Sequence, residues 1–171
     1  MSKLMRPTLA VLMFLIIPLS QAEEPEPALA YGFEDPQLEW GPCPAFIPEG
    51  CEIAMLHGDP AERNADIFFK VPGNFTIPAH RHTSAERMVL VSGELHVQYE
   101  GQETAVLKPG MYAYGPSQRP HEAFCVEGAP CVLFIAFEEP VDAMPIEHER
   151  SAAISYRLPL PEIALRVKAS Q

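Results

Sequence analysis

From Glu52 onward the chain alternates apolar and polar residues in short runs, the period of two expected of strands with one face buried. The runs Glu52–Leu56, Ile67–Val71, Glu86–Val91, Glu94–Tyr99, Glu103–Leu107, Met111–Tyr114, Ala123–Val126 and Val132–Phe137 predict strands. Between them stand Pro72-Gly73, Ser92-Gly93, Glu100-Gly101, Pro109-Gly110 and Gly128-Ala129-Pro130, the residue types that tight connections need. Short strands at this spacing predict an all-β fold of antiparallel strands, a sandwich or barrel in one domain, with little helix. A helical stretch is expected only in the tail: Pro161–Lys168, which Pro161 can open, and a turn near Ala143–Ser151.

The flanks have a different texture. Lys3 and Arg6 precede an apolar run, Leu9 to Ile17, too short to span a bilayer, and Ser20 and Ala22 are small residues suited to cleavage. Residues 1–22 therefore read as a secretory signal peptide, and the protein as secreted into the periplasm. Residues 23–50 read as a flexible, irregular N-terminal arm, because Pro36, Pro42, Pro44 and Pro48 exclude a helix. Residues 51–140 then form the barrel, and 141–171 a C-terminal extension packed on it.

Charge and cysteines refine this picture. The formal charge is −11, and loss of Lys3 and Arg6 with the signal makes it −13. Such a surface repels nucleic acid and anionic lipid, so neither is an expected partner, and no membrane association is expected after cleavage. The four cysteines would meet an oxidising compartment, where an even count suggests disulfides. Three pairings are open; proximity favours Cys43–Cys51 and Cys125–Cys131, the latter flanking a plausible turn.

Chemistry concentrates in His80, His82 and Glu86, answered by His121. Three imidazoles and a carboxylate are a usual ligand set for a mononuclear transition metal (Mn, Fe, Co, Ni, Cu or Zn), whereas Ca prefers oxygen alone. On an extended strand His80, His82, Glu86 and Met88 share one face, and Arg81, Arg87 and Val89 take the other. If His121 points inward, so do Ala123 and Cys125, and a facing strand adds Cys131, Leu133, Ile135 and Phe137. Phe75, Met88, Leu90, Tyr112 and Tyr114 are further pocket candidates. An apolar wall around a polar centre suits a small-molecule ligand or substrate. His96 is expected outside, since Leu95, Val97 and Tyr99 form the apolar face of its run; His57 lies beside a turn and His148 in the tail. With no Gly-x-Ser-x-Gly turn and no phosphate loop, catalysis would have to come from the metal and its water.

Gly73, His80, His82, Glu86 and Gly93, followed by Gly101, Pro109-Gly110, Pro116 and His121, resemble the two signature motifs of the cupins. The resemblance covers roughly Ile67 to Phe137. It departs at Gln118, where the family often has glycine, and at Cys125, where it often has asparagine. It implies a cupin-type jelly-roll barrel, with His80, His82, Glu86 and His121 holding one divalent transition metal (Mn, Fe, Ni, Cu or Zn), and a homodimer. Two functional readings follow. One is a metal-dependent oxygenase acting on a small organic molecule, with Glu86 a ligand or a catalytic base and with isomerase or lyase chemistry also open. The other is a non-catalytic cupin that binds or senses a small ligand or metal.

Overall fold

A computed structural model describes residues 26–146. The expected signal peptide at 1–22, the helix at Pro161–Lys168 and His148 lie outside these residues. Among the described residues the regular structure is eleven strands: β1 (Trp40–Pro42), β2 (Glu52–His57), β3 (Asp66–Val71), β4 (Phe75–Arg81), β5 (Glu86–Ser92), β6 (Leu95–Tyr99), β7 (Ala105–Leu107), β8 (Tyr112–Gly115), β9 (His121–Cys125), β10 (Cys131–Phe137) and β11 (Met144–Pro145). They form an antiparallel jelly roll of two sheets, ordered β1-β2-β3-β10-β5-β8 and β11-β4-β9-β6-β7.

Alternation assigns the faces. In β9, His121, Ala123 and Cys125 are buried while Glu122 and Phe124 are exposed; in β6, Leu95, Val97 and Tyr99 are buried. These inward side chains meet Ile67, Val71, Met88, Leu90, Leu133, Ile135 and Phe137 of the opposite sheet in one core. A second cluster lies elsewhere: Ala54, Phe68 and Val132 are covered by Phe33, Leu38 and Trp40. The N-terminal arm is thus less irregular than its prolines suggest, because Trp40–Pro42 extends the six-stranded sheet in register with Glu52–Ala54. Lys70 sits 3.9 Å over the Trp40 ring and 2.7 Å from Glu52, closing that outer edge.

Three expectations are corrected. β4 has no counterpart among the predicted strands, since Pro78 at its centre argues against one. A bulge accommodates that proline: Ile77 pairs with Ala123 but His80 with His121, so three residues of β4 oppose two of β9. The single extended face from His80 to Met88 is likewise absent. The chain leaves β4 after Arg81, turns, and enters β5 in the other sheet at Glu86. The helical turn at Ala143–Ser151 is not formed over its described part; Met144 and Pro145 instead pair with Arg81 and His80 as β11.

Both disulfides are present, and among the described residues no cysteine is free. Cys43–Cys51 closes the loop between β1 and β2. Cys125–Cys131 spans the turn that carries the chain from one sheet to the other.

The turn before β9 explains one departure from the signature. Gln118 takes φ 63°, the left-handed region that glycine enters freely. Its backbone N–H donates to the His82 carbonyl at 2.8 Å, which holds the conformation in place. Relief of strain of about 1 kcal/mol is offset by a backbone-entropy cost of roughly the same size. Gln118→Gly is therefore expected to leave the denaturation midpoint within error or slightly raised. Gln118→Val, β-branched at a left-handed position, should lower stability by about 1 kcal/mol or more, measured by urea unfolding.

Candidate metal centre

Strand register builds the site. Across the five-stranded sheet His80 pairs with His121 and His121 with Tyr99, making one row on the inner face. Across the other sheet Glu86 pairs with both Phe137 and Gly115, making a second row that faces the first. The β4 bulge is what sets the first row. With Ile77 inward, simple alternation would send His80 outward, and the inserted residue reverses that parity. His82 completes the set from the turn between β4 and β5.

That turn is pinned on several sides. Thr83 donates its N–H and hydroxyl to the two carboxylate oxygens of Asp142 at 2.9 and 2.7 Å. Ser117 donates to the Thr83 carbonyl at 2.6 Å. The buried Ser84 hydroxyl accepts from the N–H groups of Glu138 and Glu139 at 2.9 and 3.0 Å and donates to the Ala85 carbonyl. The polar pair between His82 and Glu86 thus fixes the direction in which both approach the centre.

Each imidazole is oriented by a backbone carbonyl. Nδ1–H of His80 donates to Pro78 at 2.7 Å, that of His121 to Arg119 at 3.1 Å, and that of His82 to Asp142. A carbonyl oxygen only accepts, so the proton must lie on Nδ1, and Nε2 of a neutral ring keeps its lone pair. Burial, reinforced by the neighbouring His82, lowers the His80 pKa to about 4. Burial and the adjacent His80 lower that of His121 to about 3. Both rings are therefore neutral at pH 7, the form that binds metal. Glu86 is raised above its ordinary value, mainly by burial, with His82 opposing and Asp142 assisting.

The donor set fits a divalent transition ion. The ligand atoms of His80, His82 and His121 lie within 4.8 Å of one another. Glu86 Oε1 is 3.3 Å from His82 Nε2, and Oε2 is 3.7 Å from His121 Nε2. Ligand atoms bonded at about 2.1 Å to one ion stand roughly 3.0–3.4 Å apart, so the Glu86–His82 separation already matches and the wider ones would close on binding. His82 Nε2 is buried without a hydrogen-bond partner, the condition a metal bond would relieve. Gly115 provides a cradle: a Cβ there would come within 2.8 Å of the Tyr99 hydroxyl and 2.9 Å of Glu86 Oε2.

Above the centre lies a cavity of about 120 Å³, walled chiefly by aliphatic and aromatic side chains of both sheets. Met88 and Phe137 line it, whereas Phe75 and Leu90 are buried in the core beyond the lining. Tyr112 and Tyr114 do not reach it. They are 60% and 51% exposed, because they pair with Val89 and the outward Arg87 while Ala113 pairs with the inward Met88. His96 is on the outer face, 3.0 Å from Glu94, and His57 ends β2 at the surface. Cys125 is joined to Cys131 and is no ligand.

Two contributors escape the sequence reading. Asp142 lies beyond the last long strand, and no local pattern marks it. Tyr99 is counted there as one more apolar residue of its run. Its ring lies 4.9 Å from that of His121, and its hydroxyl is buried without a partner beside the cavity. Burial and the nearby Glu86 push that hydroxyl's pKa up. The usable signal was the need of any inward tyrosine for a partner to its hydroxyl.

Comparison with known proteins agrees with the geometry. The family model described as "Cupin domain" matches residues 67–137. Among curated proteins no match is found. Several solved structures are similar in fold. The DMSP lyase from Ruegeria pomeroyi is 18% identical, with a TM-score of 0.57 over 66% of this chain and 62% of the lyase, so the chain spans under two thirds of that protein. The polyketide cyclase from Streptomyces resistomycificus is 17% identical, with a TM-score of 0.56 over 69% of this chain and 86% of its own. An RmlC-like cupin from Shewanella frigidimarina is 22% identical, with a TM-score of 0.53 over 67% and 93%. At these identities the likeness is one of fold.

Two measurements test the site. His80 and His121 have folded pKa values below the ordinary 6.5, so their stabilising effect is complete above about 6.5 and is lost as pH falls through about 4 and about 3. Glu86 runs the other way, its raised pKa giving stability that is lost as pH rises. The urea midpoint of metal-free protein should therefore fall between about pH 6.5 and 4; a flat profile there would contradict buried neutral imidazoles. Gly115→Ala should weaken metal binding on the order of tenfold or more while the far-ultraviolet circular dichroism stays that of the wild type.

Proposed function

From the premise that residues 67–137 are a cupin domain, we propose that this protein is a metal-dependent enzyme acting on a small organic molecule, with oxygenase chemistry the first class to test. One observation carries the reading. Three imidazoles, each with Nδ1–H held by a backbone carbonyl, bring ligand atoms within 4.8 Å of one another in the lining of an apolar cavity, and Glu86 stands beside two of them, His82 and His121. His80, His82, Glu86 and His121 would hold one divalent ion of Mn, Fe, Co, Ni, Cu or Zn. When bound, such an ion supplies Lewis acidity and open positions for an oxygen donor.

The chain's own residues do the rest. The carbonyls of Pro78, Arg119 and Asp142 fix ring orientation, and the apolar wall excludes water from the reacting molecule. Glu86, raised in pKa by its burial, is the group best placed to take up a proton at Oε1 or Oε2. Lyase or isomerase chemistry is the competing enzymatic class, and the lyase and cyclase of similar fold make it worth assaying. The two disulfides support export to an oxidising compartment such as the periplasm. Assembly as a homodimer is part of the same proposal.

A second reading, a binding or sensing protein, is favoured by the makeup of the lining. Among the described residues its polar side chains apart from the four ligand residues are Tyr99 and Asp142, and Asp142 is already engaged by Thr83, so none of them offers an independent base to the cavity.

Elemental analysis of gently purified protein should find about one transition metal per chain, and His80→Ala or His121→Ala should lose it; a metal-free wild type would overturn the proposal. Oxygen uptake with a panel of small diketones and thiols then separates an oxygenase from a binder. Metal-replete protein that consumes no oxygen with any of them would count against the first class.

A further inference from the structure

The cavity's polar inventory is short enough to restrict what can occupy it. Among the described residues its lining contains no lysine, arginine, serine, threonine, asparagine or glutamine. Both carboxylate oxygens of Asp142 accept from Thr83, and the Tyr99 hydroxyl is the one side-chain donor among these lining residues outside the metal ligands. Tyr99 is 6% exposed, and its hydroxyl has no hydrogen-bond partner. The register that pairs it with His121, with the ring lying 4.9 Å from the imidazole, fixes that hydroxyl beside the centre. Its free proton and the open positions of a metal therefore converge on the same small volume.

We propose that the cavity receives a compact apolar molecule with one monoanionic oxygen head, such as a carboxylate, enolate or phenolate, which lies at the metal position and accepts a hydrogen bond from Tyr99. The inference rests on the metal-centre reading above. A divalent ion with three neutral imidazoles and the Glu86 carboxylate carries one net positive charge, which one anionic head neutralises. A second anionic group would find no cation in the lining and would have to shed its water unpaired. A polyhydroxylated molecule fails for a related reason: its hydroxyls would face Ile53, Phe69, Leu107 and Leu133, which offer them no partner. The apolar body is bounded by the volume of about 120 Å³. That is close to the engineered apolar cavity that accepts benzene, so the body holds roughly six carbon atoms. Tyr99 acts here as an anchoring residue, donating to the head oxygen while the body fills the wall.

The test uses the full chain loaded with cobalt(II) and three probes: benzoate, phthalate and gluconate. Calorimetry gives affinity, and the cobalt visible spectrum reports whether the head reaches the metal. Benzoate should bind and perturb the spectrum, with phthalate and gluconate at least about tenfold weaker. Tyr99→Phe should weaken benzoate about tenfold, the loss of one hydrogen bond to a charged acceptor, with cobalt affinity unchanged. Absence of benzoate binding, equal binding by Tyr99→Phe, or gluconate or phthalate binding as tightly as benzoate would each overturn the inference and leave the metal centre standing. Failure of the wild-type chain to take up cobalt would instead remove the metal centre, and the inference with it.

Discussion

Three backbone carbonyls, those of Pro78, Arg119 and Asp142, decide which nitrogen of each imidazole faces the interior. A histidine can present either nitrogen, and a site with mixed tautomers would offer protons where it needs lone pairs. The carbonyls remove that choice, since they can only accept. Each also limits rotation of its ring, so the cost of ordering the ligands is met during folding rather than on metal binding. The low pKa values of His80 and His121 follow from the same enclosure: water is displaced, and a second proton on either ring would be both desolvated and close to its neighbours.

The carbonyls are placed by backbone irregularities rather than by the regular ladder. The Pro78 carbonyl is available because the β4 bulge takes it out of simple register with β9. Arg119 lies in the turn whose left-handed Gln118 reaches back to His82. Glycine at position 115 keeps the floor low enough for Glu86 and Tyr99 to stand side by side. Regular strands supply the two walls, and a bulge, a strained turn and a missing Cβ shape what lies between them.

This division explains what could be read in advance. β9 and β10 are legible residue by residue, since His121-Glu122-Ala123-Phe124-Cys125 alternates cleanly and burial follows it. The meeting of His80, His82 and His121 was legible from residue type and spacing. Its geometry was not: treating His80 to Met88 as one strand puts the right side chains inward for the wrong reason, because bulge and turn together preserve parity across two sheets. β4 was hidden by Pro78, whose lost donor disqualifies it from an ordinary central strand. Tyr112 and Tyr114 were misassigned because alternation gives two faces without saying which is inner. That depends on pairing with Met88 and Arg87, a non-local fact. Asp142 was illegible for the same reason, as its role lies wholly in partners far away in sequence.

The tie between His82 and Asp142 spans 60 residues, nearly half of those described, and comes from a segment past the last long strand. A chain is made from its N-terminus, so His80, His82, Glu86 and even His121 exist before the residue that orients His82. Until position 142 has emerged and docked, nothing selects the tautomer of the second imidazole, and the turn that carries it lacks its clamp on Thr83. The orientation of His82 is thus withheld from a chain that stops short of Asp142. The protein's late-arriving segment completes the clamp on His82, and a chain that ends before it has the other ligands without that clamp.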